Sequence, residues 1–381
     1  MKKILFVVND LDIGGLQRVT ATVADALNEL DDFQSSIFID QKKIRVFYPT
    51  KSTLFFRTKK RSLVYRARNK FFRLLKKIIS IIYGNQAIVP GVDKIIAESL
   101  VDFLHKNNFQ YVILTAGFTM YAGAIKRVFP DLKIIAWQHN NFDTYMNNYF
   151  KSTRPDFVKG LQLSDILVAL TDSDAHKFSK FNPNSVTIAN PITLVNSDNM
   201  ISNLQGHVIS WVGRSSDWRH KGTDYLLKVA ANLPDDWVIS VAGDKDPLTM
   251  NGVLAKADIE RARDKIVYAG SLKDQELIQH YANSSIFLMT SRWEGFALVV
   301  TEAMSFGLPV VLFDQTGAQA VTNHGEFGKL ISTGHIDEMN QYLTLLTRDI
   351  ALRQQWQKKS LIRSKEYTLN NIIHRWTEIL K

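Results

Sequence analysis

Residues 289–311, MTSRWEGFALVVTEAMSFGLPVV, constrain this chain more tightly than any other stretch. They follow an apolar run, Ile286-Phe287-Leu288, that reads as a buried strand. A short loop comes next, Ser291-Arg292-Trp293-Glu294-Gly295. Residues 299–304 then have the make-up of a short helix, stopped by Gly307 and Pro309. Residues 310–313 begin another strand. A strand–loop–helix–strand unit of this kind belongs to an α/β domain. It carries two carboxylates, Glu294 in the loop and Glu302 inside the helix, with seven residues between them.

The N-terminus of that helix offers unpaired N–H groups and a partial positive charge, a seat for phosphate. Gly295 has no side chain, so a ligand can approach the backbone there. A carboxylate before the helix and another about two turns into it can bracket that ligand, each accepting hydrogen bonds from hydroxyls. Hydroxyl-rich groups on both sides of a diphosphate describe a nucleotide sugar.

At 381 residues the chain is too long for one ordinary core, so two domains are expected. Its hydrophobic content of 45% and charged content of 22% are those of a soluble globular protein. It has no cysteine, which excludes disulfides and thiolate metal sites and fits a reducing cytoplasm. The N-terminal apolar run stops at Asn9, too short for a signal peptide, and reads as a buried first strand. No run approaches transmembrane length.

The first domain is expected over residues 1–190. A strand over 4–9 leads into a loop with Gly14 and Gly15, then a helix over 19–30, the opening of a doubly wound sheet. Further strands are expected at 111–115, 133–138, 166–170 and 186–188, with helices over 94–107 and 120–129. His139 stands at the exit of the 133–138 strand. Thr171-Asp172-Ser173-Asp174 resembles a metal-holding Asp-x-Asp, but Asp172 or Ser173 reads better as the cap of a helix over 175–180. Residues 191–206 are polar and irregular and are taken as the linker. The second domain, 207–365, has strands at 208–212, 237–242, 266–268 and 310–313. Gly243 follows the second of these, and Ser271 and Leu272 follow the third. A last helix over 370–380, within a segment 366–381, is expected to cross back to the first domain.

The net charge of +10 is a local feature. Fourteen Lys and Arg, and no Asp or Glu, fall between residues 42 and 77, leaving 33 basic against 37 acidic residues elsewhere. Within the insertion at about 42–82, Leu63, Val64, Ala67, Phe71, Leu74, Leu75, Ile78, Ile79, Ile81 and Ile82 share one half of a helical wheel. Arg66, Lys70, Arg73, Lys76 and Lys77 share the other, with Arg68 the one misplaced charge. Such a helix suits an anionic membrane surface, with Phe71 and the five cations as the contact set. It also suits a cover over its own core or a dimer contact. Binding to nucleic-acid phosphates is the third reading, lowered by the lack of any recognisable nucleic-acid module.

The Gly-Gly loop, the two α/β halves and the run Glu294-Gly295-Phe296-Ala297-Leu298-Val299-Val300-Thr301-Glu302-Ala303-Met304, with Gly307-Leu308-Pro309-Val310-Val311 behind it, resemble glycosyltransferase family 4. These are retaining nucleotide-sugar transferases of the GT-B fold, two Rossmann-like domains facing across a cleft. The likeness covers the whole chain and is strongest over 208–311. It implies that Glu302 holds the donor ribose and that Glu294 contacts the transferring sugar. The backbone of Gly295, Phe296, Ala297, Leu298 and Val299 would cradle sugar and diphosphate. Arg214 and Lys221 match a Gly-Arg…Lys-Gly pair that neutralises the leaving diphosphate, although their spacing is longer than the family's. Gly15 would approach the diphosphate, His139 the sugar and acceptor, and the loop around Ala269–Leu272, with Ser271 and Leu272, the nucleobase, Gly243 being a further donor-binding residue. Gln17 stands where an acid is frequent, and Asn190-Pro191 replaces a common Asn-Gly.

The resemblance further implies a front-face reaction with no strong general base, no metal and no cofactor. The nucleotide sugar is the substrate, with uridine the expected base. Acceptor choice would belong to the first domain. With the basic helix, that points to a lipid-linked or glycan acceptor of cell-envelope synthesis, handled by a cytoplasmic enzyme at the inner face of the plasma membrane. The alternatives are a nucleotide-sugar epimerase or hydrolase on the same fold, and a basic protein that binds nucleic acid or another polyanion.

Overall fold

The structure, a computed structural model, describes residues 1–12, 14–41, 46–57 and 92–381, together with Ala67, Phe71 and Leu74; the side chains of 92–96 are excepted. Of the expected membrane contacts, Arg66, Lys70, Arg73, Lys76 and Lys77 lie outside the described residues. Phe71 is helical and exposed. Among the described residues no helix is long and apolar enough to cross a membrane.

The chain divides into two compact units, Met1–Asn190 with Ile372–Lys381, and Pro191–Asn371. The first contains β1 (Lys2–Val8), β2 (Phe33–Ile39), β3 (Thr53–Phe56), β4 (Tyr111–Thr115), β5 (Lys133–Trp137), β6 (Ile166–Ala169) and β7 (Ser185–Thr187). They pair in the order β3-β2-β1-β4-β5-β6-β7, every neighbour parallel. The sheet reverses direction of growth between β1 and β4, the place where doubly wound sheets open a crevice at the carboxyl ends of their strands. Ile4 to Val8 are all fully buried. A central parallel strand is covered on both faces, so its residues run apolar without alternation.

Helix Gly15–Asn28 begins earlier than the apolar spacing suggests, with the Arg18 N–H already donating to Gly14 O at 3.1 Å. The helix expected over 175–180 spans Asp172–Phe178, and its cap is Thr171 rather than Asp172 or Ser173. The Thr171 hydroxyl accepts from the Asp174 N–H at 3.1 Å and donates to the Asp174 carboxylate at 2.8 Å. Buried Asp174 also accepts from the Phe142 N–H at 2.8 Å, so it braces a turn. Trp376, from helix Leu369–Ile379, is fully buried 4.8 Å from Trp137, which makes the last turns of the chain part of this unit's core.

The second unit holds β8 (Val208–Val212), β9 (Val238–Ala242), β10 (Ile266–Gly270), β11 (Ile286–Met289), β12 (Val310–Phe313) and β13 (Lys329–Ile331). The order is β10-β9-β8-β11-β12-β13, again parallel throughout. Residues 191–206 form no helix or strand, yet they are bound to this unit. Ile192 N–H donates to Tyr367 O at 2.8 Å, Ser202 N–H donates to Phe306 O at 2.9 Å, and Leu204 is buried.

Candidate active site

β8 and β11 are neighbours in the sheet although their first paired positions, Ile209 and Ile286, lie 77 positions apart in the chain, with Phe287 opposite Ser210.

 Lys221 and Glu294, the residues that the loops after these strands bring together, are 73 positions apart. Adjacent parallel strands deliver their following loops side by side at the carboxyl edge of the sheet.

The two loops are laced to each other. The first carries helix Trp218–Lys221, ended by Gly222 in the left-handed region at φ 67°. A β-carbon on Gly222 would lie 1.9 Å from Thr290 O, so only glycine permits this approach. Thr290 Oγ1 donates to Lys221 O at 2.9 Å and accepts from Trp211 Nε1 at 3.0 Å. Arg292 N–H donates to His220 O at 2.8 Å. The Arg292 guanidinium grips Asp224 with two bonds of 2.9 and 2.7 Å and lies 3.9 Å over the Tyr225 ring.

This lacing sets Lys221 Nζ 2.7 Å from Glu294 Oε1, both side chains being largely buried. Burial pushes the Glu294 carboxyl upward, but the Lys221 charge and the His220 and Lys221 hydrogen bonds outweigh it and hold the group down at about 2. Glu294 N–H donates to Gln315 Oε1 at 3.1 Å, and Gly317 packs so closely that a β-carbon there would meet Glu294 Cβ at 2.9 Å. Arg214 is half-exposed and pairs with Asp217, Nη2 to Oδ2 3.8 Å, rather than with either carboxylate of the motif.

Glu302 lies in helix Leu298–Ser305 and is almost fully buried. Its Oε1 accepts from Thr193 Oγ1 at 3.2 Å and its Oε2 from Tyr281 OH at 3.4 Å. The helix has no side-chain cap at Ala297, which leaves its first N–H groups to the backbone or to a ligand. Gly295, Phe296 and Ala297 are buried, Leu298 and Val299 half-buried, and Phe296 packs edge-on against Tyr367 at 5.3 Å. Gly243 O accepts from Tyr268 OH and Ser271 Oγ, each at 3.0 Å. A β-carbon on Gly243 would meet Gly213 O at 2.5 Å, so this glycine closes the ends of β8 and β9 together. Ser271 is exposed and Leu272 half-buried.

His139 and Gly15 belong to the other unit. Gly15 is exposed at the first position of its helix. The His139 ring lies tilted against Trp137, centroids 4.2 Å apart, and its backbone N–H donates to Tyr145 OH at 3.2 Å. The residue as a whole is half-buried, but both ring nitrogens are shut from solvent and have no hydrogen-bond partner. That burial drives its pKa down to about 3, so the ring is neutral. Among the described residues, no three His, Cys, Asp or Glu side chains gather where a metal ion could be held.

Reading the sequence missed His220, Asp217, Thr193, Tyr281 and Gln315. His220 was legible only as the residue before Lys221. The others become visible as partners once the strands are paired.

Residues 202–362 match the family described as glycosyl transferases group 1. The chain is 31% identical to an uncharacterized glycosyltransferase of Haemophilus influenzae, covering 100% of both chains. It is 23% identical, over 96% of each chain, to the N-acetylgalactosamine-N,N'-diacetylbacillosaminyl-diphospho-undecaprenol 4-alpha-N-acetylgalactosaminyltransferase of Campylobacter jejuni. Among solved structures, Anabaena Alr3699/HepE in complex with UDP and glucose superposes with a TM-score of 0.71 at 17% identity, over 100% of this chain and 99% of that one.

Proposed function

The chain belongs to the group 1 glycosyl transferases and has the two-domain GT-B fold, and from that premise we propose that it is a retaining, metal-independent transferase using a UDP-sugar. The acceptor in this proposal is a lipid-linked or glycan intermediate of cell-envelope synthesis. The observation that carries the reading is the placement of Lys221 against Glu294 beside an uncapped helix N-terminus, with Glu302 buried further along that helix. The Anabaena neighbour was solved with UDP and glucose, which supports a uridine donor, and the Campylobacter relative's name includes a diphospho-undecaprenol acceptor, which supports a lipid-linked one.

Breaking a sugar–phosphate bond builds positive charge at the anomeric carbon and negative charge on the departing oxygen. In this proposal Lys221, Arg214 and the helix N-terminus stabilise that negative charge, which is electrostatic catalysis. Glu302 accepts from the ribose hydroxyls and Glu294, held ionised, accepts from sugar hydroxyls. The departing phosphate takes the acceptor's proton on the face where the sugar was attached, so configuration is kept. His139 is neutral, and because both ring nitrogens are shut from solvent its assignment to the sugar and acceptor rests in this proposal on the family resemblance alone. The basic stretch would bring the enzyme to the inner face of the plasma membrane, where such an acceptor resides.

The test is a transfer assay with a panel of UDP-hexoses, acceptor diphospholipid in anionic vesicles, and EDTA throughout. An α-linked product from an α-linked donor is expected. A β-linked product contradicts retention, and activity restored only by added divalent cation contradicts metal independence.

A further inference from the structure

His220 has no part in the reading above, yet it touches Glu294. It is largely buried and lies flat on Trp293, ring centroids 4.8 Å apart and planes within 5°. Its Nε2 is 2.8 Å from Trp293 O and 3.7 Å from Glu294 Oε2, and its Nδ1 is 3.1 Å from Asp217 Oδ2. All three oxygens are acceptors. A neutral imidazole has one donor nitrogen and one acceptor nitrogen, so one of these contacts would oppose two lone pairs. An imidazolium satisfies both sides.

The other charges around the ring are accounted for. Lys221, next in the chain, holds the opposite oxygen of Glu294 at 2.7 Å. Arg214 reaches Asp217 at 3.8 Å. Arg292 presents only its backbone N–H to His220, its guanidinium being held by Asp224.

We propose that His220 is a positioning residue that carries a proton on both ring nitrogens and holds Glu294 in place when Lys221 turns to the donor diphosphate. This rests on the glycosyl-transfer reading, in which Lys221 has two anions to serve. If Lys221 were drawn away with nothing in its stead, Glu294 would be a buried carboxylate without a cation, a costly state. His220 supplies the second cation, with Asp217 orienting the ring from one side and the Trp293 carbonyl and ring face from the other. Asp217 stands one helical turn before His220, within the stretch between Arg214 and Lys221.

Two measurements test this. The first is histidine-selective 15N NMR of the unliganded protein near neutral pH, with the His220 signals identified by their loss in His220→Gln. Both ring nitrogens are expected to be protonated; a signal from one unprotonated nitrogen overturns the proposal. No donor is needed, so this outcome is independent of whether the chain transfers sugars. The second is calorimetric titration of UDP, UDP-glucose, UDP-galactose and the UDP-N-acetylhexosamines. The affinity that the best UDP-sugar gains over UDP is expected to fall about tenfold in His220→Leu, with the loss of the 3.7 Å ion-pair contact to Glu294. UDP affinity itself stays unchanged, and His220→Gln, which keeps an N–H donor but no charge, does not restore the gain; full recovery in that variant overturns the claim that a second cation is supplied. An equal loss for UDP and UDP-sugar in His220→Leu shows a merely structural role and overturns the positioning claim. Absence of UDP binding by the wild type counts against the donor assignment, and the NMR result then decides on His220 alone.

Discussion

Lys221 Nζ lies 2.7 Å from Glu294 Oε1, and the two side chains are only 17% and 11% exposed. An ion pair this enclosed is costly to break from one side, because the surviving charge stays buried. Lys221→Met is expected to lower unfolding stability by about 3 kcal/mol in urea titration. The double change Lys221→Met with Glu294→Gln should recover most of that loss. A double variant as unstable as the single one would mean that Lys221 contributes packing rather than charge.

Acid should destabilise the second unit in two steps. His280 is buried with Ser210 Oγ at 2.7 Å and Ser240 Oγ at 3.3 Å, and burial lowers its pKa to about 4. Between that value and the ordinary 6.5 the unfolded chain binds the proton and the folded chain does not. Stability therefore falls as pH drops through this window. Glu294, held at about 2, contributes stabilisation that is present above its ordinary value and lost as pH falls toward 2. His280→Gln is expected to flatten the urea midpoint between pH 6.5 and 4 while leaving the steeper loss below it. An unchanged slope would assign the upper window to other groups.

Gly222→Ala should be far more damaging than a second glycine change in the same unit. Both Gly222 and Gly252 have positive φ, 67° and 80°. The new methyl at 222 would meet Thr290 O at 1.9 Å, whereas at 252 it would meet nothing within 4 Å. Gly252→Ala is expected to cost about 1 kcal/mol from backbone strain alone. Gly222→Ala should cost several times that and disturb Lys221. Thermal unfolding of the pair checks it, and equal shifts would contradict the close packing of the two loops.

Trp376→Ala should cost about 3–5 kcal/mol, the range for removing a buried large aromatic. Trp376 is fully buried against Trp137, so the loss should appear in the unfolding of the first unit. Retained stability would detach the last helix from that core.

Most of the strands that were legible are apolar with at most one polar interruption, such as Ser210 in β8 and Ser240 in β9. β2 was missed because Ser35 and Ser36 break its apolar run, and both are buried all the same. Ser35 N–H donates to Asn28 Oδ1 at 2.6 Å, a partner no periodicity reveals. β3, Thr53–Phe56, was hidden by the cations around it. The polar stretch 191–206 looked like a linker because its side chains are polar, but some of them bond to the second unit, Thr193 to Glu302 and Ser202 to Ser284 O among them. In the site, Glu294, Glu302 and Lys221 were legible as a local pattern. His220 and Tyr281 were not, since their roles come from contacts across many residues of sequence.

The most direct measurement is calorimetric titration of UDP, GDP and ADP into the wild type and Glu302→Ala without added metal. Micromolar binding of UDP alone, lost in Glu302→Ala while the variant keeps its fold by circular dichroism, is the expected result. Equal binding of UDP by wild type and variant would contradict the placement of the ribose on Glu302, and no binding of any nucleotide would contradict the donor site itself.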